Sequence, residues 1–471
     1  MAEPITLTLV DGARIVVPDS LNLITPYVLM EQQDWFEDEI RFLRGLIGRG
    51  CKVIDIGANY GIYTLCMAKV VGAEGFVWAF EPSSNCSSFL RRSVLVNGFN
   101  HVLVEQCAVS SECGTGRLAL NDQSEMNALV RLDESPSASE KVSLVTLDDG
   151  LLRYGWNDID LLKIDAEGEE LNILKGGRKF LADLSPLIQY ELKLGEDLNL
   201  ELVREFTNLG YRSYRLIPGI GVLVPFDTES TPDGYLLNLF CCKPDRAAQL
   251  AARGLLVGDE AWPSSSKPYE RVGSLIGGDD YSWRSLRRFP FGAQLMPLWA
   301  SSARSEERLT IEDAIACYIA SRNDRLCALD RFDALKMSFE LLNGICARQP
   351  SHVRLASLAR VAADYGARSA AVAALQQLAA AILNQTEIDL SEPFLAPGER
   401  FDSIPPLPDA IIRWLLASVL EQLERLVGFS SFYTGNAARR RLEIIRSLGF
   451  GSPEMGRRLQ LVETRFGKTA A

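Results

Sequence analysis

Histidine is almost missing from this chain: His101 and His352 are the only two among 471 residues. The ten cysteines include no Cys-x-x-Cys pair, so a zinc site of Cys and His is not expected. Several cysteines stand in apolar runs (Cys51, Cys66, Cys107, Cys317), where a thiol behaves as a small hydrophobe. No apolar run reaches the ~18 residues that a membrane span requires. Positive charge is short as well. Lys and Arg number 49 against 61 Asp and Glu, a net charge of −12, which argues against nonspecific binding to nucleic acid. The basic triplet Arg439-Arg440-Arg441 reads as a solvated helix face. At the start, Met1-Ala2-Glu3-Pro4 leads into alternating strand residues with no charged-then-apolar leader, and a cytoplasmic location with reduced cysteines is expected. What remains is ordinary for a soluble globular chain, with 47% hydrophobic and 23% charged residues. The length suffices for two or three domains.

Period-two alternation at Ile5–Leu9 and Arg14–Val17, around Asp11-Gly12, predicts a hairpin. A helix is predicted from about Trp35 to Leu46. Strands and helices then alternate through Val53–Ile56, Tyr60–Val71, Phe76–Glu81, Ser84–Asn97 and Val102–Val109. A patch with strand character follows at Gly116–Leu120, Ala128–Leu132 and Val142–Thr146, interrupted by Asp133–Ser137. Alternation resumes at Ile159–Asp165, Glu169–Phe180, Leu187–Glu191 and Asp197–Leu209. Three strands, Tyr211–Ile217, Gly221–Pro225 and Tyr235–Cys242, close the region. This order predicts an α/β, Rossmann-like doubly wound sheet followed by an all-α domain. The expected divisions are 1–50 (hairpin and helix), 51–245 (core), 246–305 (linker, with Pro263–Pro268 and Gly277–Asp280) and 306–471 (helical). In the last division, Leu326–Leu342 aligns with Leu358–Ala379, and Ala334 and Ala371 stand 37 residues apart. That is near the ~34-residue period of tetratricopeptide repeats, although a plain helical bundle stays open.

The core strand Cys51–Ile56 ends in Asp55-Ile56-Gly57-Ala58-Asn59-Tyr60-Gly61, a glycine turn opening a helix. Glycine permits positive φ and close approach of a ligand, and free N–H groups of the new helix face that ligand. Glu81 ends the next strand, 20 residues after Gly61, where an acid commonly accepts hydrogen bonds from ribose hydroxyls. The dinucleotide fingerprint needs a second glycine where Asn59 stands. Without it, S-adenosylmethionine, which has no pyrophosphate, is the better-fitting cofactor.

Three further segments carry a resemblance: Val145-Thr146-Leu147-Asp148, then Leu161-Leu162-Lys163-Ile164-Asp165-Ala166-Glu167-Gly168-Glu169-Glu170-Leu171, then Pro186-Leu187-Ile188-Gln189-Tyr190-Glu191. With Val53–Gly61 and Phe80-Glu81-Pro82, in this order and over about Ile5 to Lys243, the chain resembles the FkbM-type methyltransferases. The resemblance implies a class I methyltransferase fold, S-adenosylmethionine as donor, and a hydroxyl of a sugar or polyketide as acceptor. Glu169 departs from the small residue often seen at that place, and the C-terminal half has no counterpart in the core family.

Ligands of open α/β sheets bind beyond the carboxyl ends of the strands, where Asp55, Glu81, Asp165 and Glu191 emerge. The expected cofactor set is Asp55, Gly57, Ala58, Asn59, Tyr60, Gly61, Glu81, Ala108 and Asp165. Methyl transfer is an in-line displacement served by alignment, and an alcohol must also lose a proton to a positioned base. Asp165 and Glu167 are the first candidates for the acceptor or its proton, Glu191 the next, and Lys163 tunes the carboxylates. Each has a structural reading beside it: Asp148 as a helix cap, Glu167 and Glu169 as charges favoured at a helix start, His101 as a turn residue. No metal is included, although Asp165, Glu167 and Glu191 have the oxygen chemistry for Mg²⁺. Competing functions are methylation of a nitrogen on a protein or small molecule, and a non-catalytic scaffold. Expected partners are a small-molecule or glycan acceptor and, through the C-terminal helices, a protein or a second copy; neither nucleic acid nor a membrane is among them.

Overall fold

Apolar β-branched stretches become strands, glycines end helices, and the long alanine-rich region folds as helical hairpins. The computed structural model describes residues 3–130, 138–194, 197–258, 272–273, 281–303, 305–384, 388–407 and 409–467. The polar break 133–137, the Pro/Ser stretch 263–268 and Gly277–Asp280 lie outside the described residues. The chain divides into two compact units. The first holds Met1–Leu216, Leu223–Ser230 and Leu237–Arg253; the second holds Ile217–Val222, Thr231–Leu236 and Gly254–Ala471.

In the first unit, strands β1 (Pro4–Thr8) and β2 (Arg14–Pro18) form the expected antiparallel hairpin. Helices α1 (Ile24–Gln32) and α2 (Asp38–Leu46) follow, where one was expected. Next come β3 (Lys52–Ile56), α3 (Ile62–Val71), β4 (Phe76–Phe80), α4 (Ser84–Asn97) and β5 (Val102–Glu105). Four strands, β6 (Cys107–Val109), β7 (Gly114–Ala119), β8 (Ala128–Leu129) and β9 (Ser139–Val145), build a smaller sheet in the order β6-β9-β7-β8. The chain continues through α5 (Leu147–Arg153), β10 (Leu161–Ile164), α6 (Glu170–Gly176), α7 (Arg178–Asp183), β11 (Leu187–Glu191), β12 (Lys193–Leu194) and β13 (Asp197–Leu198). It closes with α8 (Leu200–Asn208), β14 (Arg212–Ile217), β15 (Val222–Pro225), β16 (Asn238–Cys242) and α9 (Pro244–Ala252).

The central sheet runs β15-β14-β16-β11-β10-β3-β4-β5. Strands β11, β10, β3, β4 and β5 are parallel, and β16 enters antiparallel between β11 and β14. This is a Rossmann-like, doubly wound sheet, as expected from the alternation of strands and helices. Chain order reverses between β3 and β10, so the cleft opens at their carboxyl ends.

Three local departures have packing causes. The strand expected over Val102–Val109 breaks at Gln106 and serves two sheets. The helix expected over Glu169–Phe180 divides at Gly176-Gly177, where added Cβ atoms would stand 2.1 Å from the Ser110 carbonyl oxygen and 2.8 Å from Leu147 Cδ1. Asp148 does not cap its own helix: Thr146 does, and Asp148 instead accepts from the Lys179 and Phe180 N–H groups at the start of α7.

The second unit contains a 3₁₀ turn at Trp283–Arg288 and helices α10 (Pro290–Ser301), α11 (Glu306–Ser321), α12 (Ala328–Arg348), α13 (His352–Tyr365) and α14 (Arg368–Asn384). After them come α15 (Ile411–Leu426), α16 (Ser431–Thr434), α17 (Asn436–Leu448) and α18 (Pro453–Phe466). Of the two aligned repeat units, 358–379 is a hairpin of α13 and α14 turning at Gly366, whereas the helical part of 326–342 lies in the single helix α12. Ala334 and Ala371 are both fully buried. Among the described residues no helix is long and apolar enough to cross a membrane, and no disulfide joins any of the ten cysteines.

Candidate active site

The glycine turn is shaped first by the protein's own backbone. Gly57 has φ +77, and a Cβ there would stand 1.6 Å from the Asp165 carbonyl oxygen. Glycine is required because the turns after β3 and β10 touch. Asn59 also takes the left-handed region, at φ +48, which asparagine tolerates better than most side chains. Its N–H donates to Glu81 Oε2 at 2.7 Å, and the Ser83 N–H donates to Glu81 Oε1 at 2.8 Å. Burial pushes the Glu81 carboxyl up to about 7, against those two hydrogen bonds. Each carboxylate oxygen keeps acceptor capacity beyond one N–H, so Glu81 can still take ribose hydroxyls. No side chain caps the N-terminus of α3, which leaves its first N–H groups open to an anion. These features fit the carboxylate and nucleoside of S-adenosylmethionine.

Parallel register sets the chemistry. Lys163 stands opposite Asp55 on β3 and Gln189 on β11, so their side chains share one face of the sheet. Lys163 Nζ lies 2.8 Å from Asp165 Oδ2, 4.0 Å from Asp55 Oδ1 and 4.8 Å from the centre of the Tyr63 ring. Burial would lower the Lys163 ammonium, but Asp165 and then Asp55 hold it above its ordinary value. Asp55 is fully buried and takes the Thr64 hydroxyl at 2.5 Å, while its Oδ1 has no hydrogen-bond partner among the described residues. Burial raises its carboxyl, with Lys163 opposing.

Asp165 is the accessible member, its side chain 39% exposed. Carboxylate oxygens of Asp165, Glu167 and Glu191 lie within 4.8 Å of one another. That spacing is close enough to share a cation, although acids also cluster without one. Removal from water and then the neighbouring Asp165 push Glu167 up to about 8 and Glu191 up to about 9. Because Glu167 itself reaches solvent, water screens its part of that repulsion. Glu167 and Gly168 both have positive φ, 48° and 92°. Glu170 braces this loop by accepting from the Ala166 and Gly168 N–H groups at 3.0 and 3.3 Å.

The remaining expected residues stand as follows. Ala58 is buried beneath the turn. Tyr60 is buried edge-on against Phe89, and Gly61 lies against Leu90. Ala108 is carried by β6 of the smaller sheet, 7% exposed. Glu169 accepts from the Ser110 hydroxyl, and His101 meets the Ala68 carbonyl at 2.8 Å. Glu37, Tyr63, Gln189 and Asn238 were not singled out in the sequence. Glu37 sits among Asp34, Asp38 and Glu39, which read only as a helix start, so no local signal marks it.

Residues 55–213 match the family described as Methyltransferase FkbM domain. Methyltransferase sdnD of Sordaria araneosa is 33% identical over 155 residues, covering 26% of this chain and 59% of that protein. Methyltransferase 1 of Beauveria bassiana is 24% identical over 143 residues, covering 26% of this chain and 57% of that protein. The chain thus spans less than two thirds of the length of either relative. Among solved structures, Methyltransferase FkbM from Methylobacillus flagellatus is 20% identical with a TM-score of 0.29, over 42% of this chain and 45% of that one. An S-adenosylmethionine-dependent O-methyltransferase from Thermotoga maritima is 14% identical with a TM-score of 0.25, over 51% and 77%.

The family match and the methyltransferase relatives support a domain of the S-adenosylmethionine-dependent methyltransferase class. Within that class, residues 55–213 are similar to the FkbM methyltransferase domain.

Proposed function

We propose that the protein is an O-methyltransferase that uses S-adenosylmethionine to methylate a hydroxyl of a sugar, glycan or related metabolite. The observation that carries this reading is Asp165: its side chain is 39% exposed at the carboxyl end of β10, with its Oδ2 held at 2.8 Å by buried Lys163. A hydroxyl must lose its proton as its oxygen attacks, and a fixed carboxylate at that place receives it. The bound donor supplies the electrophilic methyl group. Glu81 and the turn Gly57–Gly61 hold the nucleoside, the open start of α3 takes the carboxylate, and Lys163 orients Asp165. Glu167 and Glu191 line the acceptor side. The helical unit offers surface to an extended acceptor, a protein partner or a second copy.

Calorimetry should show binding of S-adenosylmethionine and S-adenosylhomocysteine, and none of nicotinamide dinucleotide. A labelled-donor screen of sugars and glycans against amines should place the label on oxygen. In that assay Asp165→Asn should cut turnover by ~10²–10⁴ with donor affinity and circular dichroism unchanged. Label found only on nitrogen, or unaltered turnover in Asp165→Asn, would overturn the corresponding part.

A further inference from the structure

Lys163 is shared between two acids, and nothing in its own strand decides which one holds it. Asp165 has it at 2.8 Å, yet the buried Asp55 Oδ1 waits at 4.0 Å without a hydrogen-bond partner among the described residues. A long lysine stem can swing between the two. The Tyr63 ring centre lies 4.8 Å from Nζ, at a distance where a cation is attracted to an aromatic face. Tyr63 is itself held at its far end. Its hydroxyl donates to Glu37 Oε2 at 2.5 Å and receives the Gln189 Nε2 group at 3.4 Å. Asn238 Nδ2 donates to the same Glu37 oxygen at 3.3 Å.

Glu37 occupies a place where it would ordinarily do something else. It is the N-cap residue of α2 and makes no side-chain capping bond, although an acid there is well suited to one. Its carboxylate turns to Tyr63 and Asn238, which are 7% and 6% exposed. Burial raises this carboxyl, as does the charge of Asp165, while Tyr63 and Lys163 oppose the rise. Both Glu37 and Asn238 lie outside the matched stretch 55–213.

We propose that Glu37 is a positioning residue for methyl transfer: through Tyr63 it holds the Lys163 ammonium against Asp165 and away from Asp55. The segment ahead of the cofactor strand therefore completes the catalytic machinery. This proposal rests on the methyltransferase reading only for its kinetic consequence. The strut itself can be tested without an acceptor.

The experiment uses full-length protein with Glu37→Gln, Glu37→Ala, Tyr63→Phe and the double variant Glu37→Ala/Tyr63→Phe. Lysine carrying ¹³C at Cε reports Lys163 by NMR, assigned with Lys163→Arg. The Lys163 signal should move in Glu37→Ala and Tyr63→Phe, and return towards its original position in Glu37→Gln, which keeps a hydrogen-bond acceptor. With the sugar or glycan that turns over in the labelled-donor screen, kcat should fall on the order of 10- to 100-fold in Glu37→Ala at unchanged KM for the donor. Glu37→Gln should recover most of it, and the double variant should be no worse than Tyr63→Phe, because residues acting through one another are not additive. A Lys163 signal unchanged in Glu37→Ala, or single effects that multiply in the double variant, overturns the proposal. Failure to bind S-adenosylmethionine would instead remove the methyltransferase reading and leave the NMR arm standing.

Discussion

At the scale of single residues, Glu191 and Glu167 give the site a pH dependence of defined sign. Both carboxyls are raised, to about 9 and about 8, by removal from water and then by Asp165, an effect that solvent screens at the exposed Glu167. The folded state therefore keeps protons that the unfolded chain has released, and stability falls with rising pH in that window. The contribution is fully present below the unfolded carboxyl range and is lost as pH passes through the folded values. Thermal denaturation from pH 5 to 9.5 should show a falling Tm, and Glu191→Gln should flatten the curve. An equally steep curve in Glu191→Gln would show that other groups set it. Asp165, Glu167 and Glu191 were legible because each stands at a strand end or just after one. Their mutual distance was not, since it depends on where β10 and β11 lie beside one another.

Among the elements, the junction of β3 and β10 is the tightest point. Gly57→Ala would place a methyl group inside the Asp165 carbonyl, at a positive φ. Gly98, at φ +67 after α4, has open space around it. Gly98→Ala should cost about 1 kcal/mol, the penalty for the left-handed region alone. Gly57→Ala should cost more than that and should also abolish donor binding, because Gly57 and Asp165 move apart together. Equal Tm shifts in the two variants, with donor affinity intact, would contradict this account. The turn was readable in sequence as a ligand loop. The first demand on Gly57 comes instead from a neighbouring backbone, a contact invisible without the sheet register. Asp148 teaches the same lesson: its residue type announced a helix cap, but packing assigned it to α7.

For the whole molecule, the two units make a truncation test specific. A chain ending after Arg253 retains every residue of the proposed donor site. It leaves segments 217–222 and 231–236 without their helical partners: the Gly219 N–H donates to the Asp364 carbonyl at 2.8 Å, and Asp233 accepts from the Ser369 N–H at 2.9 Å. Such a chain should bind S-adenosylhomocysteine by calorimetry while melting at lower temperature than the full protein. A second truncation at Asp245 removes most of α9 and should be the less stable of the two. If both are insoluble, the halves share a core and the units do not fold separately.

Local pattern by itself determined the α/β alternation, the glycine turn, Glu81 one strand later, and Asp165 and Glu191 at the next strand ends. These are short-range features, written in periodicity and in residues that tolerate only certain backbone angles. Tertiary structure alone decided that Lys163 lies between Asp55 and Asp165, and that Glu37 reaches Tyr63 across 26 positions and Asn238 across 201. Such pairs are chosen by strand register and by the packing of α2 and α3. Their free energy comes from burial and hydrogen bonding between distant segments, which leaves no local trace in the chain.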